Sequence, residues 1–299
     1  MSIGPILVTG GSGQVAQALG RLGPPREMDM VVLGRPQLDF DDAGTILKAF
    51  ATRPWRYVVN AAAYTAVDAA EADEAAAARA NADGPELLAT LCAEARIPFI
   101  HISTDYVFDG SKGTPYREAD PTNPTGAYGR TKRDGEERVL KAGGHSIILR
   151  TAWVYSDTGK NFVRTMLSAG ARLPKLRVVA DQKGSPTAAA DLAAAILDII
   201  ALIDRDGWRP GFGGIFHATG SGETSWHGLA VATFEEARRR GGPSPEVEAI
   251  ATADWPTPAR RPADSRLDNG KLAGTFGIAL PPWRESLART VDSLLTPHE

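Results

Sequence analysis

The sequence has little that is typical of secreted, membrane or nucleic-acid-binding proteins. Its one cysteine, Cys92, cannot form an internal disulfide, and no Cys/His group has the spacing of zinc ligands. The first apolar run, residues 6–8, is far shorter than the apolar core of a signal peptide or the roughly 20 residues of a membrane span. The 33 basic and 36 acidic residues give a net charge of −3 and form no long run of one sign. We therefore expect a cytoplasmic protein with neither a membrane nor a nucleic acid as its partner.

The chain has the composition of an ordinary globular protein and an alternating pattern of apolar segments. Of its 299 residues, 43% are hydrophobic and 23% are charged, and we find no internal repeat. In the first half, short apolar runs alternate with longer amphipathic ones, which predicts an α/β fold with a doubly wound parallel sheet. The predicted strands cover residues 6–9, 30–33, 57–60, 98–103 and 146–150, and the predicted helices cover residues 14–22, 41–51, 67–83, 86–95 and 127–141.

The second half is less regular and predicts a smaller mixed α/β lobe. We expect a first domain over residues 1–150, with segments of about 176–220 returning to it, and a lobe over residues 151–299. Loops rich in Pro, Gly and Arg are expected at 204–214 and 241–264. The predicted helices there cover residues 162–169, 188–203, 226–240 and a segment after Pro282, and the predicted strands cover residues 176–180 and 215–218.

A glycine-rich turn follows the first predicted strand and opens the first helix. Gly10, Gly13 and Ala16 give the spacing G-x-x-G-x-x-A. Positions without side chains let the backbone approach a pyrophosphate, whose charge then lies at the positive end of a helix. The turn predicts a dinucleotide-binding Rossmann domain, although a tight turn can also need glycine for its conformation alone.

The end of the second predicted strand bears on the choice of dinucleotide. Gly34 and Arg35 stand where an acidic residue would bind an adenosine ribose, and an arginine suits a 2′-phosphate. This favours NADPH, with NADH possible, while a solvated loop arginine is the alternative. Asp39 and Phe40 close the same loop, and the small residues of segment 60–64 end the third strand at the same sheet edge.

Tyr128 and Lys132 are four residues apart on a predicted helix, so their side chains share a face. The fourth strand ends at Thr104, at the edge of the sheet where ligands bind. A hydroxyl, a phenol and an ammonium at this edge predict a carbonyl-reducing site, in which Tyr128 donates a proton and Thr104 a second hydrogen bond. Lys132 is expected to lower the pKa of the phenol and to hold the nicotinamide ribose. A surface Tyr/Lys pair is the alternative.

The predicted site thus has a catalytic part and a cofactor part. The predicted catalytic residues are Thr104, Tyr128 and Lys132. The predicted cofactor-binding residues are Gly10, Gly11, Gly13, Gln14, Val15, Arg35, Asp39, Phe40, Ala62, Ala63, Tyr64, Tyr128 and Lys132.

Longer strings resemble one family over nearly the whole chain. Together with the glycine turn, the segments 58–68, 103–110, 128–132, 150–155 and 181–187 resemble the dTDP-4-dehydrorhamnose reductases, which are extended short-chain dehydrogenases/reductases. The resemblance implies reduction of the 4-keto group of dTDP-4-dehydro-L-rhamnose by NADPH in nucleotide-sugar biosynthesis. It also implies a monomer or homodimer that binds the nucleotide sugar between the two lobes.

The resemblance also implies substrate-binding residues. These are Val67, Thr104, Asp105, Trp153, Asn161, Gln182 and Trp226. Packing is an alternative for the tryptophans and Val67, and a helix cap for Asn161. Some members are magnesium-linked dimers, but alanines at 188–190 offer no oxygen ligands, so we expect no metal. At Asp264, where related sequences commonly carry Asn or Tyr, a carboxylate would repel a diphosphate.

Other functions on this fold remain open from the sequence. Dehydratases of the superfamily place a glutamate after the Thr-Asp pair, where this chain has Tyr106 and so lacks the acid for elimination. An epimerase would turn over without added NADPH. A non-catalytic NADP-binding subunit, like the regulatory subunit of methionine adenosyltransferase, is the alternative from a different class.

Overall fold

Six parallel strands form the main sheet of the computed structural model, which describes residues 4–296. The strand order is β10-β5-β4-β3-β1-β2. Apart from the edge strands β2 and β10, these strands are apolar and buried because helices cover both faces of the sheet. The strands are β1 (Ile6–Thr9), β2 (Met30–Leu33), β3 (Tyr57–Asn60), β4 (Phe99–Thr104), β5 (Ser146–Thr151), β6 (Val154–Tyr155), β7 (Lys175–Val179), β8 (Lys183–Gly184), β9 (Thr187–Ala188), β10 (Gly214–His217), β11 (Thr224–Ser225) and β12 (Glu246–Ile250).

The helices form a layer on each face of the sheet and the body of a smaller lobe. Helices α1 and α8 pack on one face, and α2, α5 and α6 cover the other. None of the described helices is both long and apolar enough to cross a membrane. The helices are α1 (Gln14–Leu22), α2 (Ala43–Phe50), α3 (Val67–Ala70), α4 (Glu74–Ala78), α5 (Gly84–Ala95), α6 (Ala127–Ala142), α7 (Phe162–Gly170), α8 (Ala189–Asp206), α9 (Trp226–Arg239), α10 (Gly270–Phe276) and α11 (Trp283–Leu295).

The doubly wound α/β prediction is confirmed, and several predicted elements need correction. The helix predicted over 67–83 is broken, because Asp73 leaves the helical conformation and its side chain caps α4. The strand predicted at 176–180 does not join the main sheet, since β7 pairs with β12. The predicted loop 241–264 therefore contains a strand. By contrast, β10 joins the main sheet beside β5.

The smaller lobe is built from helices α7, α9 and α11 and three two-stranded sheets. Its apolar core includes Tyr155, Leu229 and Trp283. Residues 251–264, here called the crossing segment, connect this lobe with the sheet. At one end the Thr252 hydroxyl donates to Asp181 at 2.6 Å, and at the other Asp68 of α3 accepts from the backbone N–H of Ala259 at 3.1 Å. The division into domains at residue 150 stays a prediction.

Candidate functional site

The glycine turn brings three strand ends into backbone contact. Gly10 has φ +102° and Gly11 has φ +44°, a region that favours glycine. A Cβ at Gly10 would lie 2.7 Å from the carbonyl oxygen of Ala61, and one at Gly11 would lie 3.0 Å from Cα of Gly34. No side chain of residues 4–296 caps the N-terminus of α1 after Gly13, so its first N–H groups can face an anion. The turn therefore fits the pyrophosphate of a dinucleotide.

Replacing Gly10 by alanine is expected to lower the free energy of unfolding by more than about 1 kcal/mol, because the new Cβ meets backbone at a positive φ. Dinucleotide affinity should fall as well, since the turn must move. Gly274 in α10 is the matched control, because a Cβ there meets nothing within 4 Å. Urea unfolding and fluorescence titration with NADPH measure both effects. Equal behaviour of G10A and G274A would contradict the role given to the turn.

Arg35 lies at the end of β2 and is held by two carboxylates. Its Nε donates to Asp39 at 2.8 Å and its Nη2 to Asp41 at 2.6 Å, with the side chain 66% exposed. Asp41 also pairs with Arg79 at 2.7 Å. The hydrogen bond from the backbone of Asp41, together with Arg35, lowers the pKa of Asp39. Arg35 and Asp39 thus form one charged group at the predicted adenosine end.

Several predicted cofactor residues also make contacts within the protein. Val15 lies on the buried face of α1, in the apolar core. Phe40 is buried against Gly84, and a Cβ on Gly84 would lie 2.6 Å from the Phe40 ring. The N–H of Ala62 donates to Asn60 at 3.1 Å, and the N–H of Tyr64 donates to Asn81 at 2.8 Å. These contacts hold the end of β3 against the turn. The side chains of Val15 and Phe40 have no polar group for a ligand, but the backbone N–H of Val15 is one of the uncapped groups in the first turn of α1.

Thr104 and Tyr128 meet at the carboxyl edge of the sheet. The Thr104 hydroxyl donates to Asp105 at 3.0 Å and accepts from the N–H of Tyr106 at 3.2 Å. Tyr128 of α6 is buried, and the Tyr106 ring lies edge-on to it with centroids 5.5 Å apart. Burial raises the pKa of Tyr128 to about 12, although a hydrogen bond with Thr104 lowers it in part. The phenol therefore holds its proton at neutral pH.

The effect of Lys132 on the phenol stays a prediction. Tyr128 and Lys132 share α6 as predicted, but the groups that shift the pKa of Tyr128 do not include Lys132. The Lys132 amine donates to the carbonyl oxygen of Ile102 at 2.7 Å and lies 3.3 Å from Nε2 of His101. Burial lowers the pKa of Lys132 to about 8, against the opposing charge of Glu136. Helical spacing predicted the shared face but not the partner of the amine.

Asp105 adds a buried acid to this edge. Burial raises its pKa to about 6, although the hydroxyls of Ser265 and Thr104 lower it in part. Asp264, in the crossing segment, is paired with Arg266 at 2.6 Å. The charge of Asp264 is therefore compensated within the protein, which weakens the expected repulsion of a diphosphate.

Three predicted substrate residues, Trp153, Trp226 and Gln182, form one cluster in the smaller lobe. The rings of Trp153 and Trp226 stack with centroids 3.6 Å apart and an interplanar angle of 7°. Trp153 has φ +49°, a strained value for a bulky residue. The Trp226 indole N–H donates to Gln182 at 3.2 Å, and the Gln182 amide donates to Thr252 of the crossing segment at 3.0 Å. The cluster thus links the aromatic stack to the segment that spans the two lobes.

The other two predicted substrate residues have clear structural partners. The Asn161 side chain accepts from the N–H of Arg164 at 3.1 Å, as the cap of α7, and its amide donates to Gln14 at 3.1 Å. Asn161 therefore behaves as the alternative, a helix cap, and joins the lobe to the first turn of α1. Val67 begins α3 and packs in the small apolar cluster around Tyr128.

Comparison with known proteins decides the family. The model of the RmlD substrate binding domain matches residues 4–296. The chain belongs to this family.

Relatives in the RmlD family cover almost the whole chain. A dTDP-4-dehydrorhamnose reductase of Sinorhizobium fredii is 44% identical over 290 residues, which is 97% of each chain. A probable dTDP-4,6-dihydroxy-2-methyloxan-3-one 4-ketoreductase of Streptomyces antibioticus is 43% identical over 97% of this chain and 95% of its own. The crystal structure of dTDP-4-dehydrorhamnose reductase from Bacillus anthracis in complex with NADP has a TM-score of 0.87 at 30% identity, covering 97% of this chain and 99% of that one.

Sequence reasoning missed two buried polar networks of this RmlD-family chain. One joins Thr9, Asn60 and His101 across β1, β3 and β4, and the other joins Ser103, Glu136 and Arg150. The signal was present, because polar residues stood inside strands that are otherwise apolar.

The predictions about metal binding, cellular location and oligomeric state concern features outside the catalytic site. Among residues 4–296 no three or more His, Cys, Asp or Glu side chains are grouped so that they could hold a metal ion. The cytoplasmic location, the absence of a metal and the state of monomer or homodimer stay predictions.

Proposed function

We propose that this protein is an NADPH-dependent oxidoreductase that reduces the 4-keto group of dTDP-4-dehydro-L-rhamnose to give dTDP-L-rhamnose. The observation that carries the proposal is the buried Thr104 and Tyr128 pair at the carboxyl edge of the sheet, the same edge at which the glycine turn follows β1. Family membership supports it, since relatives of this length are named dTDP-4-dehydrorhamnose reductase and one was crystallised with NADP.

The residues of the turn and of the loop after β2 would hold the cofactor. The uncapped N–H groups of α1 would face the pyrophosphate, and Arg35 would pair with a 2′-phosphate. Asp39 could instead accept hydrogen bonds from the ribose hydroxyls of NADH, so both dinucleotides fit this group. When bound, the nicotinamide supplies a hydride to the carbonyl carbon of the substrate.

The protein's own residues neutralise the negative charge that develops on the carbonyl oxygen. Tyr128 would donate its proton there, because a phenol whose pKa is about 12 carries that proton at neutral pH. Thr104, whose hydroxyl now donates to Asp105, would supply a second hydrogen bond to the same oxygen. The ammonium of Lys132 would hold the nicotinamide ribose.

The smaller lobe would bind the nucleotide sugar. The stacked Trp153 and Trp226 offer a broad apolar surface, and Gln182 provides a polar group beside it. Asp105 would contribute from the edge of the main sheet. The crossing segment connects these residues with α3 at Asp68, which supports binding of the substrate in the cleft between lobe and sheet.

A spectrophotometric assay tests the proposal directly. Purified protein with NADPH and dTDP-4-dehydro-L-rhamnose should lose the absorbance of NADPH in step with the formation of dTDP-L-rhamnose. The relative from Streptomyces antibioticus favours a second candidate, reduction of another dTDP-linked 4-keto-deoxysugar, which the same assay compares by kcat/KM. Tight binding of NADPH without reduction of any keto-sugar would overturn the proposal in favour of a regulatory subunit. Turnover without added NADPH would indicate an epimerase.

Replacing Arg35 by alanine is expected to lower kcat/KM with NADPH by about 10- to 100-fold, the usual value of a charge-assisted hydrogen bond to a phosphate, with little change for NADH. Arg79→Ala is the matched control, because Arg79 pairs with the same Asp41 as Arg35 does. Initial rates with the two dinucleotides give the ratio. A fall of equal size for both cofactors in R35A would remove Arg35 from the selection of the 2′-phosphate.

A further inference from the structure

A line of buried polar side chains crosses the sheet behind the proposed catalytic residues. The strand register places Thr9 beside Asn60 and Asn60 beside His101. All three are fully buried, and the amine of Lys132, also buried, reaches the far side of the His101 ring. The proposed reaction gives no role to the side chain of Asn60 or of His101, so the burial of these polar side chains calls for another explanation.

The contacts of the Asn60 amide favour one of its two orientations. Its Oδ1 accepts from the hydroxyl of Thr9 at 2.5 Å and from the backbone N–H of Ala62 at 3.1 Å. The N–H of Ala62 also lies 3.2 Å from the hydroxyl oxygen of Thr9, but an amide nitrogen only 3.1 Å from this N–H would set two donors against each other. The amide oxygen is therefore favoured at this position. The amide nitrogen therefore faces the His101 ring, where Nδ2 lies 2.9 Å from Nδ1.

This orientation decides which ring nitrogen of His101 carries the proton. Because Nδ2 of Asn60 donates, Nδ1 of the ring must accept. Burial, and then the charge of Lys132, hold the pKa of His101 well below its usual range, so the ring is neutral. A neutral imidazole has one N–H, which must then be at Nε2. That N–H lies 3.3 Å from the Lys132 amine.

The two protonation states of Lys132 differ in how they meet this N–H. An ammonium has three donors and no acceptor, so it places a proton against the proton of the ring. A neutral amine has a lone pair that accepts from Nε2–H and can still donate to the carbonyl oxygen of Ile102. On its other side Glu136 attracts the ammonium, but its carboxylate is paired with Arg150. Tyr128 on the same helix face keeps its proton and adds no charge.

We propose that His101 is a positioning residue which, held by Asn60, presents Nε2–H to Lys132 and favours its neutral amine over its ammonium. The inference rests on the proposed function in one respect, namely that the reaction needs the ammonium of Lys132. His101 then sets the alkaline limit of activity, above which Lys132 loses its proton.

The position of the ring proton can be tested on the unaltered protein. The chain has five histidines, so ¹⁵N imidazole spectra are simple, and His101→Gln assigns the signal. If that variant does not fold, replacement of the other four histidines one at a time assigns it by elimination. We expect the Nε2–H tautomer, with no titration of the ring between about pH 5 and 9. A proton on Nδ1, or a ring that titrates near neutral pH, would overturn the proposal.

Asn60→Asp is expected to reverse the effect with almost no change of shape. A carboxylate still accepts from Thr9 and Ala62 but also accepts from the ring, so the ring proton moves to Nδ1 and Nε2 becomes an acceptor for the ammonium. The titration midpoint of Lys132, followed by ¹³Cε NMR, should rise by about one to two pH units, the usual effect of a hydrogen bond to a charged group. The alkaline limb of kcat/KM should rise with it.

The carboxylate that Asn60→Asp introduces would itself attract the ammonium, so a control is needed. The same substitution in the H101Q protein keeps the charge and removes the ring, and it should shift the midpoint less. Equal shifts in the two backgrounds would contradict the role of the ring. The NMR measurements need no substrate, so absence of keto-sugar reduction with the expected spectra would count against the proposed function alone.

Discussion

Replacing Tyr128 by phenylalanine is expected to lower kcat by about 10²- to 10⁴-fold, the usual contribution of a general acid, while the affinity for NADPH changes little. Phenylalanine keeps the buried ring and its contacts with Ala70, Ala77 and Ala127, so the fold should be retained. Only the proton donor to the carbonyl oxygen is lost. Steady-state kinetics give the loss of kcat, and fluorescence titration gives the affinity for NADPH.

Tyr106→Phe is the matched control for this variant. Tyr106 is the neighbouring tyrosine, with its ring 5.5 Å from that of Tyr128, and burial raises the pKa of its phenol as well. It follows Thr104 and Asp105 in the chain but has no proposed role in proton donation. Its phenylalanine variant should keep most of the activity. Full activity of the Y128F enzyme would contradict the assignment of Tyr128 as the proton donor.

Replacing Glu136 by glutamine is expected to cost about 3–5 kcal/mol of unfolding free energy, because it leaves the guanidinium of Arg150 buried without a counter-charge. The two side chains are only 2% and 3% exposed and are joined at 2.7 Å and 2.9 Å. The Ser103 hydroxyl also donates to Glu136, at 2.5 Å. Urea unfolding at neutral pH measures the loss.

An exposed ion pair provides the comparison for Glu136. Glu74 pairs with Arg130 at 2.7 Å, but the side chains are 47% and 42% exposed. Glu74→Gln should therefore change the unfolding free energy by no more than about 1 kcal/mol. If the two variants unfolded at the same urea concentration, burial would not be the reason for the strength of the Glu136 pair.

Local patterns in the sequence were sufficient for the main sheet and the shared face of Tyr128 and Lys132. Apolar runs predict buried parallel strands well because both faces are covered, and a spacing of four predicts one helix face. Long-range pairing was not predictable in this way. Nothing in the residues of β7 indicates that its partner is β12, far along the chain, rather than the main sheet.

The partners of the site residues could not be predicted for the same reason. The effect of Lys132 was predicted from its distance in sequence to Tyr128, but its amine is held by Ile102 and His101 of β4, which only the fold brings to it. Likewise, the alternatives for Asn161 could not be separated until the first turn of α7 was placed against it. Side-chain type predicted the chemistry available, and the strand register determined the partner.

The position of β10 has a consequence for biosynthesis. This strand comes from the second half of the chain, yet it lies beside β5 and covers an edge of the sheet. A nascent chain that has emerged from the ribosome only as far as Thr151 exposes β5 as an open edge, which favours pairing with other chains. We therefore expect the open edge of β5 to persist until His217 has been synthesised.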